Sequence, residues 1–424
     1  MNAQGLNRKF EQNRMISMYN DIEIIPGGVT AAPGFMASGV FCGIRKNRTK
    51  RDLALIVAEQ PCNAAAVYTL NKVKAAPLLL TMDNLHNGRA QAILVNSGNA
   101  NACAPGGMEA AKATVAAVAD AAKLSPDDFI VSSTGTIGVP LPVDTIVAGV
   151  PALVEGLSHD DATAAEAIMT TDTFTKSLAV RFTLGGKTVT LGGIAKGSGM
   201  IHPNMATMMA FITTDCSIEP AMLEEALRES SARTYNRISV DGDMSTNDMA
   251  AILASGTAGN PHISDKGEDY GKFLHALDIV NLKLAKDIAK DGEGATKLIT
   301  AHVTGAMTVE DASKIAMAVI ASSLVKSAMF GSDANWGRIL AAMGYSGAEF
   351  EPTGVDVGFT SSAGTVDVCK DGAGMPFDEA LAKQILSQSE VVIEIRLHEG
   401  DHEAQAYGCD LTYDYVKING DYRS

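Results

Sequence analysis

Residues 196–215, Lys-Gly-Ser-Gly-Met-Ile-His-Pro-Asn-Met-Ala-Thr-Met-Met-Ala-Phe-Ile-Thr-Thr-Asp, pass from a Gly/Pro-rich loop straight into an apolar run that reads as a buried strand. The junction is Thr207. If the Ala206–Thr207 bond breaks, Thr207 gains a free α-amino group beside its hydroxyl and carries nucleophile and base together. In the uncut chain the hydroxyl reaches the Ala206 carbonyl through a five-membered ring, giving an ester that water opens. Gly197, Gly199 and Pro203 fix the path of the loop that must strain or polarise that carbonyl. The freed amine, with an ordinary pKa of about 7.7–8.0, suits proton transfer near neutrality. Residue types alone leave a second reading open, in which Met-Ala-Thr-Met-Met simply begins a core strand, where Thr is common.

Composition narrows the surroundings of that strand. With 424 residues, 46% of them hydrophobic but only 5% aromatic, the chain has material for a full core in an Ala/Gly/Val-rich α/β protein. A net charge of −15 without a Lys/Arg cluster argues against nucleic acid as a partner and favours small metabolites. Cys42, Cys62, Cys103, Cys216, Cys369 and Cys409 have no CxxC spacing, which suggests neither zinc nor a disulfide framework and fits a reducing cytoplasm. Residues 1–20 carry Arg8, Lys9 and Arg14 but no apolar h-region, and no run of about 18 apolar residues occurs, so neither secretion nor a membrane is expected. An organellar transit peptide is a minor alternative.

Strand-like runs at 53–57, 91–96, 178–184, 187–194 and 207–213 alternate with helical ones at 107–123 and 219–235, an α/β pattern. Leu184-Gly-Gly-Lys187 predicts a hairpin. Glu310–Met329 reads as one long helix, and 391–397 and 411–418 as strands, which predicts a C-terminal α+β unit. Asp241-Gly-Asp-Met-Ser-Thr-Asn-Asp248 opens like a calcium loop but has Thr246 and Ile252 where that loop needs Gly and Glu, so no metal is assigned. His202, alone in a Gly/Pro loop, is read as structural. Asp291–Lys297 lacks the phosphate-loop pattern.

The whole segment 196–215 resembles the autoprocessing signature of the ornithine acetyltransferases, the ArgJ family of glutamate N-acetyltransferases. The resemblance runs from about Gly28 to Ser424 through Lys74-Ala-Ala-Pro77, Val95-Asn-Ser-Gly-Asn-Ala-Asn101, Ser133-Thr-Gly135, Met169-Thr-Thr-Asp-Thr173, Asp291-Gly-Glu-Gly-Ala-Thr-Lys297, Asn335-Trp-Gly-Arg338 and Tyr415-Val-Lys-Ile-Asn419. It implies an αββα sandwich over 21–290, a smaller C-terminal α+β domain over 291–424 and an extension over 1–20. It also implies self-cleavage into an α chain, 1–206, and a β chain, 207–424, that stay associated as α2β2.

The resemblance further implies the chemistry. Thr207 is the acyl-accepting nucleophile. Thr134 supplies a hydroxyl and Gly135 an N–H to the oxyanion hole, a role that the hydroxyl- and Gly-rich end of the run 130–138 suits. The substrates are N2-acetylornithine and glutamate, transferred by a ping-pong route, with Thr173, Lys196, Thr207, Glu293, Asn419 and Ser424 as contacts. Lys196 is a natural partner for a carboxylate and Glu293 for an ammonium. Ser424 replaces the family's usual terminal threonine. No cofactor is implied, and acetyl-CoA as a further donor is left open. An aminopeptidase or amidase with the same self-cleaved nucleophile is the alternative enzyme class, and a binding protein cut only for maturation is the alternative outside enzymes.

Overall fold

Strand β3, Leu53–Tyr68, is 16 residues long and serves two groups of strands. Its pairing with β4 (Arg89–Asn99) shifts register between Val57 and Cys62, around the exposed Glu59-Gln60-Pro61. Pro61 cannot donate to a ladder, so the strand bends there. The first half pairs with β2 (Phe35–Val40) and β4, and the second half, Asn63–Tyr68, pairs with β10 (Met249–Ala254). The nine-stranded sheet then runs from β5 (Phe129–Thr136) through β4, β3, β10, β8 (Met209–Thr214), β7 (Lys187–Lys196) and β6 (Lys176–Leu184) to β1 (Glu23–Ile25). The computed structural model describes residues 21–45, 50–202 and 208–421.

Alternation along the strands sets what each face packs against. Ala54, Ile56 and Ala58 of β3 share one apolar cluster with Met209 and Phe211 of β8 and with Met249, Ala251 and Leu253 of β10. The two halves of the sheet therefore face each other across a common core. Leu53, Leu55 and Val57 point the other way, onto helices α1 (Ala76–Asn84), α2 (Gly107–Ala122) and α3 (Val143–Glu155). Helix α4 (Ala162–Ala167) packs against β2. Ala210, Ile212, Ala250 and Ile252 face α5 (Pro220–Arg233) and α6 (Glu268–Lys290). All six residues of both β8 and β10 are buried, and each large apolar side chain there contributes about 1.5–3 kcal/mol.

Helix α6 buries Phe273, Leu277, Val280, Leu284 and Ile288, a stripe at helical spacing, and was not among the elements expected from sequence. The expected hairpin is present. Leu184 pairs with Lys187, and Gly185 (φ 53°) with Gly186 (φ 77°) makes the two-residue turn.

A second, seven-stranded sheet holds β9 (Ile238–Ser239), β11 (Leu298–Ala306), β12 (Asp356–Ser361), β13 (Gly364–Lys370), β14 (Ala373–Gly374), β15 (Glu390–Arg396) and β16 (His402–Cys409). Its edge strand β9 pairs with β16 and comes from before residue 290, so the sheet draws on chain from both sides of the expected boundary. One face is covered by α7 (Val309–Ala321), α8 (Ser323–Phe330), α9 (Trp336–Gly344) and α10 (Glu379–Leu386).

Two expectations are corrected here. The single helix over 310–329 is two helices bent by 59°, because the Ser322 side chain accepts from Val325 N and starts a new helix. The strand over 411–418 is instead helix α11, Tyr413–Asp421. Its Tyr and Val residues favour strands, but no neighbouring strand pairs with it among the described residues, and tertiary contacts hold the helix. Thr412 donates to Gly294 O at 2.7 Å, and the Tyr413 ring meets Phe330 edge-on at 5.6 Å. Among the described residues no single helix is long and apolar enough to cross a membrane.

The hairpin generates a prediction. A Cβ on Gly186 meets nothing within 4 Å, whereas one on Gly185 falls 2.3 Å from the Pro261 ring. Gly186→Ala is expected to cost about 1–2 kcal/mol for its left-handed conformation. Gly185→Ala is expected to cost more, since it adds a clash. Urea unfolding midpoints of the two variants check the order.

Candidate active site

The C-terminal end of β5 forms one wall of a cleft. Thr134 and Gly135 lie there in register with Ser97 and Gly98 of β4. The two backbones approach so closely that a Cβ on Gly135 would lie 2.4 Å from the Gly98 carbonyl carbon, and its φ of +129° also excludes an ordinary side chain. Asn247 pins this end by donating to Ala100 O at 2.7 Å and Ser133 O at 2.8 Å.

Lys196, the last residue of β7, crosses to this wall. Its Nζ donates to Thr170 Oγ1 at 2.8 Å and Thr134 Oγ1 at 3.3 Å. A lysine ammonium can only donate, so Thr134 Oγ1 accepts and its own hydrogen is directed elsewhere. Burial lowers the Lys196 pKa; Asp172 and Glu293 oppose that fall, and Lys176 and Arg45 add to it.

Asp172 anchors the same region from beneath. Its carboxylate accepts from Thr170 N at 2.9 Å, Gly197 N at 2.7 Å and Lys176 Nζ at 2.8 Å. Burial alone would raise its pKa, but Lys196, Lys176 and these hydrogen bonds hold it below the usual carboxylate range. Lys176 also donates to Asp291 Oδ2 at 2.6 Å. Asp291 in turn accepts from the Thr173 amide at 3.0 Å and from the Thr173 hydroxyl.

The opposite wall carries a carboxylate. Glu293 lies against Gly199, where a Cβ would come within 2.4 Å of its carboxyl carbon, and Asn419 of α11 donates to its Oε2 at 2.7 Å. The loop between them is held by Asp241, which accepts from Met200 N at 2.6 Å and Ile201 N at 2.8 Å while Tyr415 Oη donates to it at 3.3 Å. Met200 sits at φ 57°, a left-handed conformation uncommon for its type. Burial depresses the His202 pKa, and its Nδ1 lies 3.0 Å from Ser239 Oγ.

The cleft thus brings together Thr134, Gly135, Lys196, Glu293 and Asn419, along with Met208 and Met209 and the 245–248 turn. Thr173 is exposed and is not among the residues that line it, and its hydroxyl donates to Asp291. Ala206, Thr207 and Ser424 lie outside the described residues, as does the 1–20 extension. Met208, which follows Thr207 in the chain, lines the cleft, and β7 and β8 pair directly across the loop at Lys196 and Met209. The sequence reading missed Asp172, Lys176, Asp291 and Asp241 as structural supports. Three of these are acids inside motifs already singled out, each beside Gly or Thr, which is the signal available for them.

The ArgJ family model matches residues 36–424. A protein of Symbiobacterium thermophilum called arginine biosynthesis bifunctional protein ArgJ is 53% identical over 406 residues, covering 95% of this chain and 100% of its own. The protein of the same name from Caldanaerobacter subterraneus subsp. tengcongensis is 51% identical over 405 residues, covering 95% of this chain and 100% of its own. Among solved structures, an ornithine acetyltransferase from Mycobacterium tuberculosis complexed with ornithine is 41% identical, covering 44% of this chain and 100% of that chain, with a TM-score of 0.40.

The depressed Lys196 pKa has a direct consequence for any carboxylate ligand in the cleft. Such a ligand needs the protonated ammonium, so its affinity should fall as pH rises, beginning below the ordinary lysine pKa of about 10.4. Lys196→Arg should abolish that decline, because a guanidinium keeps its proton. Ligand titrations between about pH 7 and 10 check both.

Proposed function

The chain belongs to the ArgJ family, and from that premise we infer how its cleft carries out the family's chemistry. The protein is an acyltransferase of arginine biosynthesis that moves an acetyl group between ornithine and glutamate. We assign N2-acetylornithine as donor and Thr207 as the residue that carries the acetyl group between the two half-reactions. The observation that carries this assignment is the position of Met208, the residue joined to Thr207, in the cleft that Thr134 and Gly135 line.

In this reading Thr207 first attacks the Ala206 carbonyl, water opens the ester, and the chain becomes 1–206 and 207–424. Strands β7 and β8 then belong to different pieces but remain paired from Leu191 with Thr214 to Lys196 with Met209, which supports continued association. The opposed halves of the large sheet, helices outside and a shared core between, are read as the αββα sandwich of the family, and two such units as its α2β2 assembly.

The transfer follows from the groups present. Thr207 Oγ attacks the acetyl carbonyl while its α-amine takes the hydroxyl proton. Negative charge develops on the carbonyl oxygen, facing the Thr134 hydroxyl, whose hydrogen Lys196 leaves available, and the Gly135 N–H. The carbon–nitrogen bond breaks, the ammonium returns the proton to the departing amine, and ornithine leaves. Glutamate's amine then attacks the ester and releases N-acetylglutamate and the free hydroxyl. Lys196 faces a substrate carboxylate and Glu293 a substrate ammonium.

Thr207→Ala is expected to give one uncut, inactive chain, read by intact mass. Thr134→Ala should lower kcat by about 10²-fold with a smaller change in KM, because its hydroxyl acts on charge present only in the transition state. Product analysis separates the transferase from an amidase. The transferase forms N-acetylglutamate only when glutamate is supplied, whereas acetate released at one rate with or without glutamate contradicts the assignment.

A further inference from the structure

Lys176 is fully buried between two carboxylates that are themselves buried, with side-chain exposures of 0% for Asp172 and 2% for Asp291. All three of its N–H donors are used, on Asp172 Oδ1 at 2.8 Å, Asp291 Oδ2 at 2.6 Å and Phe174 O at 3.4 Å. Desolvating three charges costs several kcal/mol per ion, and apolar residues of similar volume commonly pack as stably, so stability alone is a weak reason for the arrangement. A compact ammonium with three rotatable donors can instead hold two separate chain segments at a set distance.

Each carboxylate governs one wall of the cleft. Asp172 fixes Thr170 and Gly197, the residues that bracket the Lys196 ammonium through Thr170 Oγ1 and the peptide chain. Asp291 fixes Thr173, its carbonyl accepts from Ser198 Oγ at 2.6 Å, and two residues later comes Glu293, whose amide donates to Ser198 O at 3.0 Å. Ser198, two residues after Lys196, thus ties the two walls at the backbone, and the Asp172–Lys176–Asp291 bridge is a second tie between the same segments.

We propose that Lys176 is a positioning residue that sets the separation of Lys196 from Glu293, and with it the length of the amino-acid side chain that the cleft accepts. The proposal rests on the reading that these two groups face the substrate's carboxylate and ammonium. A diamino acid bearing those ions at its two ends is measured by that separation, and one methylene too many leaves one ion unpaired. Chain-length selectivity then originates in a residue that never touches the substrate.

The test compares acetyl transfer to glutamate from N2-acetylornithine and from its homologue longer by one methylene, N2-acetyllysine, using the cut protein. Native protein should favour the shorter donor in kcat/KM by at least about tenfold, the scale of one-methylene discrimination. Lys176→Arg keeps the charge but lengthens the clip, and should reduce that preference by about tenfold, with KM carrying most of the change. Asp291→Glu lengthens the same clip from its other end, is expected to shift the preference in the same direction, and carries the test if the arginine variant does not fold. A role confined to folding lowers the yield of both variants while leaving the ratio between donors unchanged, and that result overturns the proposal. Native protein that transfers no acetyl group from either donor instead removes the reading on which the proposal rests.

Discussion

Antiparallel pairing of β7 with β8 brings Lys196 opposite Met209 and makes neighbours of the two ends of one loop. The cleft depends on that pairing. The strand ends present Lys196 from one side and Met208 and Met209 from the other, while the bend in β3 places β5, with Thr134 and Gly135, across the shared apolar core. Because both β8 and its neighbour β10 are wholly buried, the strand that follows Thr207 in the chain is held by packing on both faces. The position of Met208 and Met209 at the cleft is thus set by the core.

Electrostatics supplies the second level of organisation. Lys196 lines the cleft, and behind it Asp172, Lys176 and Asp291 alternate in sign, none of the four more than 7% exposed. Such a cluster is costly to bury and is tolerated where every donor and acceptor finds a partner. Within it Asp172 opposes the fall that burial imposes on the Lys196 pKa, and Lys196 donates to Thr170 and Thr134, which leaves the Thr134 hydrogen free to point into the cleft.

Local features of the fold were legible in the sequence. The Gly185-Gly186 turn and the apolar runs of β4, β7 and β8 depend on neighbouring residues alone, and their chemistry is visible in a short window. Helix α6 was harder to see because its apolar stripe is interleaved with many charged residues. The break at Ser322 needed recognition of one serine as a cap inside a long apolar pattern, and α11 was misread because its strand-favouring residues are overruled by tertiary contact. At the site, Lys196 and Glu293 could be named from motifs, but the contact of Glu293 with Asn419 spans 126 residues and the Lys176–Asp291 bridge spans 115. Neither spacing nor periodicity encodes such pairs. The bond from the Thr173 hydroxyl to Asp291 spans 118 residues and was equally invisible in the sequence.

A covalent acetyl group on Thr207 is the central claim. Incubating the cut protein with acetyl-labelled N2-acetylornithine and no acceptor, then digesting it for mass spectrometry, tests this directly. The account predicts label on Thr207 of the 207–424 piece and its discharge as N-acetylglutamate when glutamate is added. Formation of N-acetylglutamate under conditions where Thr207 never carries label contradicts it and points to direct transfer between two bound substrates.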